Sequence, residues 1–113
     1  MNQIKFNSIV TIKATSCKKC FTFIYNSPCV IDSTLVLFMK SFGSPIFNLS
    51  TTNLIKIEGG GYTIECRLKR TEIKFSIPKH LENKDLQKES RKPEFEENLR
   101  QWIESKLQIK IIK

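Results

Sequence analysis

Residues 53–77 read NLIKIEGGGYTIECRLKRTEIKFSI, and this stretch decides the fold. Apolar and polar residues alternate in three short runs, which is the period of a half-buried β-strand. The glycines at 59–61 can adopt the positive φ that a hairpin turn requires, and polar residues at 69–72 separate the second and third runs. We therefore predict three consecutive antiparallel strands. Their apolar face is formed by Tyr62, Ile64, Cys66 and Leu68, and by Ile73, Phe75 and Ile77.

The N-terminal quarter shows the same alternation. Residues 4–14 place their apolar side chains on one face, with Ile9 as the exception, and the sequence CFTFIY at 20–25 continues the pattern. The segment SCKKC at 16–20 then connects two strands of a hairpin. It lacks the Gly or Asn of a two-residue turn, so we expect a wider loop.

Two amphipathic helices are predicted. In residues 31–42 the apolar side chains recur at helical spacing, with Ser27 as the N-cap, Pro28 in the first turn, and Gly43 and Pro45 as the stop. The second helix begins at Pro93, and acidic residues in its first turn complement the helix dipole. The sequence LQIKII at 107–112 is a candidate for a short last strand. The apolar stripe of the second helix is Phe95, Leu99, Trp102, Ile103 and Leu107.

These elements predict a single α+β domain. A largely antiparallel sheet, in the order β-β-α-β-β-β-α, carries two helices on one face. Residues 1–78 form a basic α+β body, residues 79–92 a polar linker or mobile loop, and residues 93–113 a C-terminal amphipathic helix of the same domain.

Composition limits the class of protein. The chain has 113 residues, of which 40% are hydrophobic, so it can build a core and is not a disordered chain. No apolar run is long enough to span a membrane, and the alternating N-terminus does not resemble a signal peptide. We expect an intracellular protein, cytoplasmic or nuclear, that does not contact a membrane.

The net charge of +8 is unevenly distributed. Residues 1–80 hold eleven basic and four acidic side chains, whereas residues 81–113 hold eight and seven. A positive body favours phosphate-rich partners and speeds their encounter. The alternative is a basic but merely solvated surface.

The polar face of the predicted sheet concentrates this charge. Basic side chains on a sheet face can follow a phosphate backbone, whereas the aromatic residues fall on the apolar faces and are not available to stack on bases. The leading hypothesis is a small non-enzymatic binding protein that contacts nucleic acid or belongs to a larger nucleoprotein assembly. The predicted contact residues are Lys13, Lys18, Lys19, Arg67, Lys69, Arg70 and Lys74.

The same surface also suits an acidic protein. The second hypothesis is therefore a protein–protein adaptor or inhibitor, of the kind found in viruses or mobile elements. It predicts a folded chain without affinity for nucleic acid.

Four cysteines raise the question of a metal. Cys17 and Cys20 have the CxxC spacing in which two thiolates reach one ion, and a tetrahedral zinc site needs two further ligands. Cys29 and Cys66 are the candidates for that all-cysteine site. The other interpretations are a redox pair activated by the flanking lysines, and thiols that have no joint role.

Glu72-Ile73-Lys74 is a Glu-x-Lys sequence on a predicted strand, with Glu58 and Glu65 upstream. It resembles the site of metal-dependent nucleases of the PD-(D/E)xK type, and residues 29–112 have the α-β-β-β-α-β order of that family's core. The resemblance implies that carboxylates hold a divalent ion while Lys74 stabilises charge at the attacked phosphate. Glu72 and Lys74 are thus candidate catalytic residues if the protein is an enzyme.

Overall fold

The structure, a computed structural model, describes residues 3–16, 20–48, 53–59, 62–78 and 91–112. It is an α+β domain, as predicted from the sequence. The strands in chain order are β1 Gln3–Lys5, β2 Thr11–Ser16, β3 Cys20–Asn26, β4 Ser44–Asn48, β5 Leu54–Gly59, β6 Tyr62–Arg67, β7 Glu72–Pro78 and β8 Lys110–Ile112. The helices are α1 Phe6–Ile9, α2 Thr34–Phe38 and α3 Lys92–Leu107, and a 3₁₀ turn spans Lys40–Phe42.

Six strands form one antiparallel sheet in the order β2-β3-β7-β6-β5-β4. The two hairpins predicted at residues 54–77 are present, with Ile57 opposite Ile64 and Cys66 opposite Ile73. The N-terminal hairpin joins them because β3 pairs with β7. β1 and β8 lie outside this sheet and pair in parallel with each other.

One face of the sheet carries the core. Its central strands direct fully buried side chains such as Tyr25, Ile64 and Phe75 towards α2 and α3. Phe75 stacks on Phe95 of α3 with ring centroids 4.5 Å apart. Because the apolar face of each strand meets the apolar stripe of a helix, the predicted alternation becomes a single hydrophobic core.

Polar contacts fix α3 on the sheet. The hydroxyl of Tyr25 donates a hydrogen bond of 2.8 Å to Glu96, which also accepts one of 2.7 Å from Lys92. At the start of the helix, Arg91 lies over the ring of Phe42, with its guanidinium carbon 4.0 Å from the ring centroid. These contacts determine where the helix begins relative to β3.

A second set of contacts joins the two helices. The indole N–H of Trp102 donates to the hydroxyl of Thr34 at 2.9 Å, and that hydroxyl donates in turn to Asp32. Asp32 also forms an ion pair with Lys106. The N-terminus of α2 is therefore held against the C-terminal half of α3.

The prediction of one strand across residues 4–14 was wrong in its middle. Residues Phe6–Ile9 form a helical turn, closed by a 3.0 Å hydrogen bond from the Val10 N–H to the Phe6 carbonyl. A continuous strand would place Ser8 on the buried face between Phe6 and Val10, because alternate residues of a strand share a face. The helical turn buries Phe6 and Val10 but leaves Ser8 exposed, and the Ser8 hydroxyl donates to the Lys5 carbonyl at 2.7 Å.

The predicted start of the first long helix was also wrong. Ser27 accepts a hydrogen bond from the Cys29 N–H in a turn, and α2 begins only at Thr34. Ile31 instead bonds by its N–H to the Arg70 carbonyl at 2.8 Å and by its carbonyl to the Lys69 N–H at 3.0 Å. Residues before α2 thus pair with the β6–β7 turn, and the helical stripe is divided between α2 and the 3₁₀ turn.

Strand β4 was not predicted, because Pro45 was interpreted as a helix stop. The linker predicted at 79–92 lies outside the described residues, except for Arg91 and Lys92, which belong to the start of α3. In the described part of the chain, no helix has the length and apolar character needed to cross a bilayer.

Gly59 has a role other than the one expected. It does not have a positive φ; a Cβ at this position would collide with the carbonyl of Phe42. The close approach of β5 to the 3₁₀ turn therefore requires glycine here. Gly60 and Gly61 lie outside the described residues.

Candidate nucleic-acid interface

The face of the six-stranded sheet opposite the core is open. Side chains of β2, β3, β5, β6 and β7 that point to this side are half-buried or exposed, and none of those described is buried. An antiparallel sheet with one packed and one solvated face shows the alternation that the sequence contains. The described residues of this open face include Thr11, Lys13, Thr15, Thr22, Ile24, Asn26, Leu54, Lys56, Glu58, Thr63, Glu65, Arg67, Glu72, Lys74 and Ser76.

A row of charged side chains crosses the open face. Lys13 of β2 is opposite Ile24, and Ile24 is opposite Lys74 of β7. Lys74 is opposite Glu65, which is opposite Lys56 of β5. Directly opposed residues in a ladder have Cβ atoms about 5 Å apart, so three cations and one carboxylate occupy a single line.

A second row consists of hydroxyl groups. Thr15 is opposite Thr22, Thr22 is opposite Ser76, and Ser76 is opposite Thr63. The hydroxyls of Thr22 and Ser76 are 3.1 Å apart, within hydrogen-bond distance. Hydroxyls both donate and accept, and they contact phosphate oxygens in many nucleic-acid complexes.

A groove lies at one end of the open face, where β6 turns into β7. Its volume is about 410 Å³. The turn that shapes it places Lys69 at a φ of 68°, and the backbone there is held by Ile31. The groove is lined by Leu54, Glu65, Cys66, Arg67, Arg70, Thr71, Glu72 and Lys74.

The groove mixes both signs of charge, with a positive excess. Arg67, Arg70 and Lys74 are exposed cations, and Glu65 and Glu72 are the carboxylates beside them. Among the described residues, none of these three cations forms an ion pair. Lys56, by contrast, is paired with Glu58 at 2.9 Å. Within the described part of the chain, no ion pair neutralises the groove cations.

The predicted contact residues are only partly brought together. Lys13 and Lys74 share the charged row, and Arg67 and Arg70 line the groove with Lys74. Lys69 is exposed in the turn, outside the residues that line the groove. Lys18 and Lys19 lie outside the described residues.

Two features of this face were missed from the sequence. These features are Lys56 and the hydroxyl row, whose residues follow the same alternation along their strands that identified Lys13 and Lys74. Alternation alone would have placed Lys56 and Thr63 on the polar side of their strands. Their alignment depends on the register of each hairpin, which composition does not fix.

The cysteines do not assemble a metal site in the part of the chain that the structure describes, where no group of three His, Cys, Asp or Glu side chains can hold an ion. Cys66 lies on the core side of β6, where burial and the nearby charge of Glu65 raise its pKa to about 12. Burial also raises the pKa of Cys29. Zinc binds thiolates, so an ion at either position would have to displace the thiol proton. Cys17 and the Cys20 side chain lie outside the described residues.

The nuclease-like residues do converge. Glu65, Glu72 and Lys74 all line the groove. The order of elements, however, differs from the expected α-β-β-β-α-β, because β4 is an additional strand and β8 pairs with β1 instead of the main sheet. Only the local Glu-x-Lys arrangement supports that resemblance.

Comparisons of the chain with protein-family models, with curated proteins and with solved structures found no significant match.

Proposed function

We propose that this protein is a small non-enzymatic binding module that contacts nucleic acid through the open face of its sheet, alone or as a subunit of a nucleoprotein assembly. The observation that carries the proposal is the groove, where Arg67, Arg70 and Lys74 are exposed and unpaired within the described residues. Phosphate groups are suitable ligands for such cations, since guanidinium groups bind phosphates, like carboxylates, in a bidentate way.

The rest of the face supports a path for a phosphate backbone. The charged row leads from Lys74 towards Lys13 on the edge strand, and the hydroxyl row runs beside it. Protein contacts to phosphate and sugar set the position of a nucleic acid but carry no sequence information. The described residues of the face include no aromatic side chain, so base stacking contributes nothing there. We therefore expect binding that depends weakly on sequence.

Salt dependence tests the proposal. We expect a labelled single-stranded oligonucleotide to bind with a log–log salt slope of about −2, because three phosphate contacts contribute about 0.7 each. Replacing Arg67, Arg70 or Lys74 by Gln should reduce the slope by about 0.7 per residue. Lys40→Gln is the control, since Lys40 is an exposed cation of the 3₁₀ turn. Affinity that does not change between low and high salt would refute the proposal.

An acidic protein is the alternative ligand for the same cations. Poly-glutamate of matched charge distinguishes the two ligands in competition with the oligonucleotide. If poly-glutamate displaces the oligonucleotide at equal charge concentration, the face recognises negative charge in general, as an adaptor would. If it does not, the spacing of phosphates matters and nucleic acid is the ligand.

A further inference from the structure

The edge strand β2, Thr11–Ser16, offers a second interaction surface. It pairs along its full length with β3, from Thr11 opposite Asn26 to Ser16 opposite Phe21, without a bulge. Within the described part of the chain, no strand pairs with its other side. An edge of this kind presents a row of backbone N–H and C=O groups to another chain.

Within its own sequence, β2 has only one of the usual protections of an edge, the charge of Lys13. The opposite edge strand, β4, contains Pro45, which removes a donor and discourages further pairing. β2 contains neither Pro nor Gly, and Thr11–Thr15 are all exposed. Its single charge, Lys13, points to the open face, and Ile12 on the other side is 38% exposed.

We propose that β2 binds an extended segment of an acidic partner protein by strand addition, which extends the six-stranded sheet by one strand. Backbone hydrogen bonds would supply affinity and alternate side chains specificity, as in other cases of β-augmentation. β2 contributes no residue to the groove that carries the proposed function, although Lys13 also belongs to the charged row. Ile12 takes no part in the proposed function, so its replacement tests strand addition alone.

The two sides of β2 predict the pattern of the partner segment. Lys13 favours a carboxylate on the open-face side, since opposite charges across a ladder stabilise the pair. On the core side, Ile12 and Ala14 lie beside Phe23, which is packed against the core. An apolar side chain there would extend the margin of the core. The segment is therefore one in which acidic and apolar residues alternate.

Charge also argues for a foreign partner instead of a second copy. Each copy has a net charge of +8, so an edge-to-edge dimer would bring two strongly positive bodies together. A segment rich in Asp and Glu gains from the same field. Self-association thus serves as the alternative outcome.

The probe is an eight-residue peptide of alternating valine and glutamate with blocked ends, titrated by isothermal calorimetry. We expect saturable binding that is lost when alternate backbone nitrogens of the peptide are methylated. Ile12→Lys should weaken binding about tenfold, because it removes an apolar contact and places a charge on the core side of the edge. Leu107→Lys is the matched control, since Leu107 is 41% exposed at the end of α3, away from the sheet edge.

Lys13→Glu gives an independent measurement. It should weaken binding of the glutamate peptide and strengthen binding of a peptide of alternating valine and lysine, each relative to the parent protein. Three results would overturn the proposal: no binding of the glutamate peptide, equal binding of the methylated peptide, or a dimer that Ile12→Lys converts to monomer in light scattering.

Discussion

Lys74 of β7 is directly opposite Glu65 of β6 in the antiparallel ladder, and both side chains line the groove on the open face. No ion pair joins them. A carboxylate beside a cation lowers the local positive potential and competes with an external anion for it. Glu65 and Glu72 therefore reduce the positive potential of the groove.

Neutralising these carboxylates distinguishes a binding module from a metal-dependent nuclease. In a binding module, Glu65→Gln and Glu72→Gln should each raise the affinity for a single-stranded oligonucleotide several-fold, because each removes a negative charge near the bound phosphates. In a metal-dependent nuclease, the same changes would abolish Mg²⁺-dependent cleavage. Fluorescence anisotropy and a gel-based cleavage assay on the same samples measure both effects. Glu97→Gln is the control, since it removes the same charge from α3, which packs on the opposite face of the sheet.

The contact between Trp102 and Thr34 should be important for stability. Trp102 is fully buried, and its indole N–H donates to Thr34 at 2.9 Å. Trp102→Phe removes that hydrogen bond and leaves a cavity, so we expect a loss of about 2 kcal/mol in the free energy of unfolding. Urea denaturation followed by circular dichroism measures it.

A double-mutant cycle supplies the control for that prediction. Thr34→Val removes the acceptor, and the double variant should lose less stability than the sum of the two single variants. Strict additivity would mean that the contact contributes nothing beyond the packing of each side chain.

The thiols of Cys29 and Cys66 should resist alkylation in the native protein. Burial raises the pKa of both, and that of Cys66 reaches about 12, so little thiolate exists at neutral pH. Iodoacetamide labelling followed by mass spectrometry should modify these residues only after unfolding. Rapid labelling of native Cys66 would contradict its buried position on β6.

The same environment predicts the result of metal analysis. If the purified protein retains zinc, Cys66→Ala should not release it, because the Cys66 side chain faces the core. Release of zinc from this variant would restore the all-cysteine site as an explanation.

Acid should destabilise the protein through Asp32 and Glu94. Burial alone would raise the pKa of Asp32, but hydrogen bonds from Lys106 and Thr34 outweigh it and lower the pKa. Hydrogen bonds from Arg91 and Ser41 lower the pKa of Glu94. A depressed pKa contributes stability above the pKa of the unfolded state, about 4, and that contribution is lost as the pH falls below it.

We therefore expect the melting temperature to decrease as the pH falls below about 4. Asp32→Asn and Glu94→Gln should each make this decrease smaller, because the group that titrates is absent. Both side chains are partly exposed, so each effect should be small. An identical pH profile in both variants and the parent would show that other carboxyl groups cause acid denaturation.

The local pattern of apolar residues was sufficient to predict several helices and strands. The alternation at residues 54–77 predicted β5, β6 and β7, and the stripe from Phe95 to Ile103 predicted α3, because in both cases the local period agrees with the packed face. Leu107, predicted to continue that stripe, is exposed. The predictions of the shorter elements were wrong where contacts between residues distant in the sequence determine the local structure. Ile31 lies before α2 because its backbone bonds to the β6–β7 turn, and Phe6 begins a helical turn that leaves Ser8 exposed while Phe6 and Val10 are buried.

The candidate site was predictable only in part for the same reason. Alternation placed Lys13 and Lys74 on the polar sides of their strands, and pairing of β3 with β7 puts them in one row. The groove depends on the geometry of the β6–β7 turn, and the opposition of Lys74 to Glu65 depends on hairpin register. Neither can be derived from the identity of the residues.

The parallel pairing of β1 with β8 has a consequence for the order of folding. Gln3 is opposite Lys110, so the pair joins a segment near the first described residue to a segment near the last. During synthesis, all six strands of the main sheet emerge before β8. The β1–β8 pair therefore cannot form until β8 has been synthesised, and closure over so long a stretch of chain is slow.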